Sequence, residues 1–303
     1  MVFDESPLKD IYRRVTWGPY RRGLGRLPAG TELRANRRLG QLAWVGSRGK
    51  RARVHANMRR AFGDTPELDR WVRQTFETHF VDQYISWLFA RMVAGEWELE
   101  LKGRDLLDAA LASGQGAVLV HPHMGPAQLP LCQLGVWGYP THQIGGGGVA
   151  HTLSAEGERV TRLRHELEQV MPVTLWDGAR ALRPVVRALQ ANSVVLTALD
   201  GTGGGVELGR RLERTVLGQT MRVPVGGAYL SWKTGAALLG LVTHREHGRW
   251  VSSLQRLETP SGKRTRALEQ GADQTAAFLE ACLRRWPGDW HFWDEFEPGR
   301  FLV

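Results

Sequence analysis

Cysteine is scarce. The 303-residue chain carries two, Cys132 and Cys282, far apart and each in an apolar context. This argues against a disulfide framework or a cysteine-based zinc site, and fits a reducing compartment. No apolar run reaches the roughly 18 residues of a membrane-spanning helix. Asp4, Glu5 and Lys9 precede any apolar stretch, which is not the pattern of a secretory signal. Internal repeats, low-complexity tracts and a clear linker are absent. Acidic residues are nearly missing from the first fifth of the chain. Residues 1–60 hold 15 Lys and Arg against 4 Asp and Glu, while the other 243 residues hold 25 against 27. All of the formal net charge of +9 therefore belongs to the N-terminus. A nucleic-acid-binding domain that is basic throughout is disfavoured, and no nucleic-acid recognition motif appears. The pattern predicts a nearly neutral globular body with a basic arm over residues 1–62, suited to an anionic membrane, phosphate or an acidic carrier protein.

What is present is a foldable chain. Hydrophobic residues make up 42% and charged residues 23%, and glycine (36) and tryptophan (12) are both frequent. Residues 8–60 read as helical pieces broken by glycine and proline. There Ile11, Tyr12, Val15 and Trp17 alternate with Arg13, Arg14, Arg21 and Arg22, a basic amphipathic stretch that suits a bilayer interface or a helix packed on the body. The run Asp64-Thr65-Pro66-Glu67 predicts a helix start, and an apolar stripe continues through Trp71, Phe76, Phe80, Tyr84 and Leu88. Buried strands are predicted over 116–120, 194–199 and 236–242. Helices are predicted over 104–113, 126–136, 153–170, 178–191 and 225–234. Alternating strands and helices predict an α/β fold over residues 63–303, a single domain. Its central sheet is mostly parallel or mixed, with helices on both faces, and the N-terminal basic arm is helical.

In open α/β sheets ligands sit at the carboxyl ends of strands. Two such ends carry titratable groups beside glycine: His121-Pro122-His123-Met124-Gly125-Pro126-Ala127-Gln128, and Asp200 followed by Gly201-Thr202-Gly203-Gly204-Gly205. A histidine there suits general-base chemistry, and a carboxylate on the neighbouring strand end suits its orientation. Equally, both are polar strand ends that cap the next helix. Gly145 to Gly148 allow close backbone approach to a phosphate or pantetheine arm, or form a turn. Neither glycine run is a Walker loop or a dinucleotide fingerprint.

The block from Gly116 to Gln128 resembles the first motif of the lysophospholipid acyltransferase superfamily: glycine, apolar strand, then His-x4-Asp/Glu with a glycine two after the histidine. It is most similar to the lipid A lauroyl/myristoyl acyltransferase branch, which includes the phosphatidylinositol mannoside acyltransferases. Further resemblances occur in order: residues 53–62 with Asn57 and Ala61-Phe62, the apolar strand ending on Asp200, the segments Val216-Leu217-Gly218, 224–228 and 234–236, and Trp286-Pro287-Gly288-Asp289-Trp290. The resemblance implies transfer of a fatty acyl chain from a thioester to a lipid or glycolipid hydroxyl. It implies no cofactor, with acyl-CoA or acyl carrier protein as donor substrate. It also implies a peripheral site on the cytoplasmic face of a bacterial inner membrane. His123 would act as base without a covalent intermediate, and backbone N–H groups after it are candidates for the oxyanion site.

One position departs from the pattern. Gln128 stands where the family has its acid. Either Asp200 supplies the carboxylate, or the chain is a degenerate lipid- or carrier-binding homologue; a thioesterase-like hydrolase is a third reading. The resemblance, with an acid at the Asp200 position in some relatives, favours the first. The candidate catalytic set is therefore His123, Asp200 and Gln128, with His121 as the rival base. Gly125, His121, Arg164 and Arg211 are candidates for substrate binding, the arginines as phosphate contacts or as solvated surface. No metal site is expected. Trp290, His291 and Trp293 read as packing residues.

Overall fold

The computed structural model describes residues 6–145, 153–178, 181–200 and 209–303. Gly146 to Gly148 and the glycine run after Asp200 lie outside these. The N-terminal fifth is helical: α1 (Pro7–Val15), a π-turn (Thr16–Tyr20), α2 (Arg21–Leu24), α3 (Thr31–Gly46) and α4 (Arg48–Phe62). The π-turn falls at Gly18-Pro19, where proline has no N–H to continue an α-helical ladder. Helix α5 (Leu68–Gln83) comes next, then α6 (Ser86–Val93). The single stripe predicted through Leu88 is thus two helices. The break falls at Tyr84, whose ring packs on Trp17 and Trp87 and whose hydroxyl meets that of Tyr12 at 2.5 Å.

The body alternates as β1 (Glu100–Lys102), α7 (Arg104–Ala112), β2 (Ala117–His121), α8 (Leu129–Val136), β3 (Thr141–Gly145), α9 (Ala155–Glu168), β4 (Thr174–Asp177), α10 (Leu182–Gln190) and β5 (Val194–Ala198). A hairpin comes next, β6 (Arg211–Val216) and β7 (Gln219–Pro224). The chain ends with α11 (Gly226–Thr234), β8 (Ala237–Glu246), β9 (Arg249–Arg256), the long α12 (Arg264–Arg285) and an irregular aromatic tail. Seven strands form one sheet in the order β1-β9-β8-β2-β5-β3-β4. Every pairing is parallel except β8 with β9. The α/β fold with a mostly parallel, helix-covered sheet is as expected.

Period-2 alternation splits the core into two layers. Val118, Val120 and Val195 join one cluster with residues of α4, α5, α10 and α12 and the C-terminal aromatics. Ala117, Leu119, Val194 and Leu196 join the other with residues of α6, α7 and α8. The basic N-terminal helices do not all stand off from this body. Helix α3 crosses α5 so closely that a Cβ on Gly40 would lie 2.6 Å from the Phe76 carbonyl oxygen. There Glu77, buried, accepts from Arg37 at 2.7 Å, Gln41 at 2.8 Å and Arg245 at 2.8 Å. Burial alone would raise its pKa; these donors more than reverse that and lower it.

Candidate active site

Parallel pairing of β2 with β5 places His121 opposite Ala198. Two residues further along each chain stand His123 and Asp200, and they meet. The His123 Nδ1–H donates to Asp200 Oδ1 at 2.8 Å, and the His123 backbone N–H donates to Oδ2 at 2.8 Å. The Trp290 indole N–H donates to the same Oδ2 at 2.6 Å. With Nδ1–H committed to the carboxylate, Nε2 is the nitrogen with a lone pair to offer. The His123 side chain is 32% exposed while Asp200 is fully buried. The carboxylate is thus inside and the imidazole is partly exposed, with the Phe292 ring tilted against it at 4.9 Å between centroids.

Electrostatics tie the two together. Burial alone would push His123 down, but the charge of Asp200 and its hydrogen bond raise the imidazole above its ordinary 6.5. Burial alone would raise Asp200, but His123, Trp290 and the backbone N–H hold it below 3.8. His121, the rival base, is buried and differently placed. Its Nδ1 lies 3.3 Å from the Pro122 carbonyl oxygen, and burial together with the neighbouring His123 pushes it down to about 4. It is therefore neutral near pH 7.

Gln128 makes no hydrogen bond to His123. It precedes α8, and its Oε1 has no hydrogen-bond partner among the described residues. The acid found at Nδ1 is Asp200. Gly125 has a positive φ of 57°, and a Cβ there would lie 2.7 Å from the Thr243 carbonyl oxygen, so this turn admits glycine and little else. Arg164 lies on α9 and pairs with Glu168 at 2.8 Å, while Arg211 opens β6 opposite Pro224. Neither supplies a hydrogen bond to the dyad.

The expected oxyanion donors are mostly engaged. Met124 N–H bonds the Pro122 carbonyl, Gly125 N–H the Asp289 carbonyl at 2.8 Å, and Ala127 N–H the Asp82 carboxylate at 3.1 Å. An oxyanion would need another donor or a rearranged turn.

Sequence reading missed the contribution of the C-terminal tail. Residues 289–291 run beside 123–125: Gly125 N–H meets Asp289, Met124 bridges Trp290, and His291 N–H meets the His123 carbonyl at 3.0 Å. His291 Nε2–H also donates to the Gly125 carbonyl at 2.6 Å. Asp289 is fully buried and ties the tail to α5 through Gln74 and Thr78, and to β8 through the Arg245 N–H. The signal was the Pro-Gly-Asp-Trp run, visible in sequence but without its target. Asp82, at the end of α5, was also missed; its charge acts to raise both His121 and His123.

Neither cysteine is available as a nucleophile, since both are buried and burial pushes each thiol up to about 12. Among the described residues no helix is long and apolar enough to cross a membrane. What the geometry offers is a carboxylate-oriented imidazole at the carboxyl edge of a parallel sheet.

Known proteins share this sequence pattern. Over 208 residues the chain is 33% identical to a phosphatidylinositol mannoside acyltransferase of Mycobacterium tuberculosis, covering 66% of this chain and 60% of that one. Over 204 residues it is 31% identical to a phosphatidylinositol mannoside acyltransferase of Mycolicibacterium smegmatis, covering 64% and 60%. The chain thus spans 60% of the length of these curated relatives. The broader match runs from residue 21 to residue 295, from the basic helices to the tail that holds Asp200, and by it the chain belongs to the bacterial lipid A biosynthesis acyltransferase family.

Proposed function

We propose that the protein transfers a fatty acyl chain from an acyl thioester, acyl-CoA or acyl carrier protein, to a hydroxyl of a lipid or glycolipid at a membrane surface. The observation that carries this reading is the His123–Asp200 pair, with Nδ1 held at 2.8 Å and the imidazole partly exposed. His123 Nε2 takes the proton from the acceptor hydroxyl while that oxygen attacks the thioester carbonyl. The tetrahedral species collapses, the carbon–sulfur bond breaks, and the leaving sulfur receives the proton back from Nε2. Asp200 stabilises the imidazolium formed between these steps. The relatives' acceptor makes a mannosylated phospholipid the first acceptor to test.

Access to such an acceptor fits the surface of α1. Leu8, Ile11 and Val15 are 76%, 57% and 52% exposed and succeed one another at helical spacing. This helix is tied to the end of α5, beside Asp82, by the Tyr12–Tyr84 contact. It would lie in the interface of an anionic bilayer, on the cytoplasmic face of a bacterial inner membrane, with its apolar side inserted. The test is thioester turnover with vesicles that contain or lack a hydroxylated glycolipid. Acceptor-dependent release of thiol with formation of the acylated lipid supports the reading. Free fatty acid formed at the same rate without acceptor would show a hydrolase instead, and no turnover in any mixture would show a binding protein.

A further inference from the structure

The His123 side chain engages one oxygen of Asp200; the other accepts from the His123 backbone N–H and from a residue near the far end of the chain, Trp290. We propose that Trp290 is a positioning residue, whose indole N–H fixes the rotation of the Asp200 carboxylate and sets the proton affinity of His123. It rests on the reading of His123 as the base, but the geometry that carries it is independent of substrate.

Three donors converge on Asp200, and two of them come from His123 itself. Those two set the carboxylate relative to its own partner, whereas Trp290 sets it relative to the packed C-terminal tail. Its ring is fully buried and caged edge-on by Trp293, Phe296 and Phe301. The N–H it aims at Oδ2 is therefore held in place by packing rather than by the bond alone. The backbone around it is pinned as well, with Asp289 tied to α5 and β8 and His291 to His123.

The electrostatic consequence has a definite sign. An N–H pointed at a carboxylate stabilises its charge and draws negative potential away from the partner oxygen. In its absence Oδ1 holds the His123 proton more firmly. Trp290 thus opposes the upward pull of Asp200 on the base. The other groups facing the pair are fixed in identity: His121 on β2, Asp82 at the end of α5, and Cys282 on α12. Removal of the indole N–H leaves all of them in place.

The experiment is a histidine titration followed by nuclear magnetic resonance on the full-length protein, with the His123 signal assigned by its loss in His123→Gln. Trp290→Phe removes the N–H and part of the ring. A second protein carries at position 290 an isostere in which sulfur replaces the indole N–H, so that shape and packing are kept. The titration midpoint of His123 is expected to rise by about half a unit or more in both. In an Asp200→Asn background the same replacement should leave the midpoint unmoved, because the charge it modulates is gone. An unmoved or lowered midpoint in the isostere protein overturns the proposal, as does an equal shift in the Asp200→Asn background. If Trp290→Phe does not fold, the isostere protein alone decides. Turnover by the unmodified protein is measured separately. A midpoint that moves in a protein without acyl transfer would leave this role standing and remove the proposed activity.

Discussion

His123 and Asp200 each stand two residues beyond a register pair, His121 opposite Ala198, at the ends of two adjacent parallel strands. That register, and not nearness in sequence, brings Nδ1 within 2.8 Å of Oδ1. The order of damage among variants is set by it.

His123→Ala removes the group placed to take the acceptor proton, and acyl transfer should fall by about 10²-fold to 10⁴-fold with the fold intact. Asp200→Asn should cost far more than Gln128→Ala, since Gln128 makes no bond to the dyad. Initial rates of the three purified variants, with circular dichroism as the folding control, check the order. Greater damage from Gln128→Ala would show that the glutamine approaches His123 during turnover.

The pH dependence has a worked sign. The base acts when neutral, and His123 is raised above 6.5 by Asp200. The rate should therefore fall on acidification through a midpoint above 6.5. In Asp200→Asn burial is opposed only by the weaker pull of the Asp82 charge, so whatever activity remains should show its midpoint at lower pH. His121, pushed down to about 4, should not contribute to this limb, and His121→Gln should leave it in place. A pH–rate profile of kcat/KM reads all three.

Gly125→Ala meets two obstacles at once, a positive φ and the Thr243 carbonyl 2.7 Å from the new Cβ. A loss of ~1–3 kcal/mol is expected from the backbone conformation alone. Because Gly125 bonds both Asp289 and His291, activity should fall together with the melting temperature. Thermal unfolding and turnover on the same preparation measure both.

Asp289→Ala takes the carboxylate from the Gln74 amide and the Arg245 N–H, and leaves the Thr78 hydroxyl with the Gly288 carbonyl at 3.3 Å. At ~1 kcal/mol or more for each of the two donors left without an acceptor, the expected cost is about 2 kcal/mol or above. Urea denaturation gives the value. A change below ~1 kcal/mol would show that water replaces the carboxylate.

For the proposed membrane contact, the structure separates two kinds of residue on α1. Leu8 and Ile11 face out, whereas Arg13 is mostly buried and bonds Asp10 and Ser154. Leu8→Ser with Ile11→Ser should weaken binding to anionic vesicles at least tenfold, from ~1.5 kcal/mol or more per apolar side chain. Arg13→Gln should chiefly lower stability. Sedimentation with vesicles at low and high salt checks this, and binding should fall as salt rises.

Much of this molecule was legible in its residues. Apolar runs marked β2, β5 and β8, because strands buried on both faces leave no polar alternation to confuse them. Strands β3, β4 and β9 were not anticipated. The first two lie at one edge of the sheet and are only partly buried, and β9 pairs with β8 across a tight turn at His247-Gly248. The hairpin β6–β7 was hidden by its charges, which its packing against α12 satisfies through Arg214 with Glu269 and Asp273.

The sequence by itself determined the identities at the strand ends: a histidine after β2 and an acid after β5. It determined the charge asymmetry as well. Which acid meets the histidine was decided only by tertiary structure, because partner choice depends on strand register and a register is a relation between distant segments. The role of the basic N-terminus was likewise divided by packing. Arg37 is committed to buried Glu77, while the apolar side of α1 is left facing outward. The tail shows the same logic most plainly. Trp290 looks like one more core aromatic until the fold carries its N–H to within 2.6 Å of a carboxylate ninety residues away.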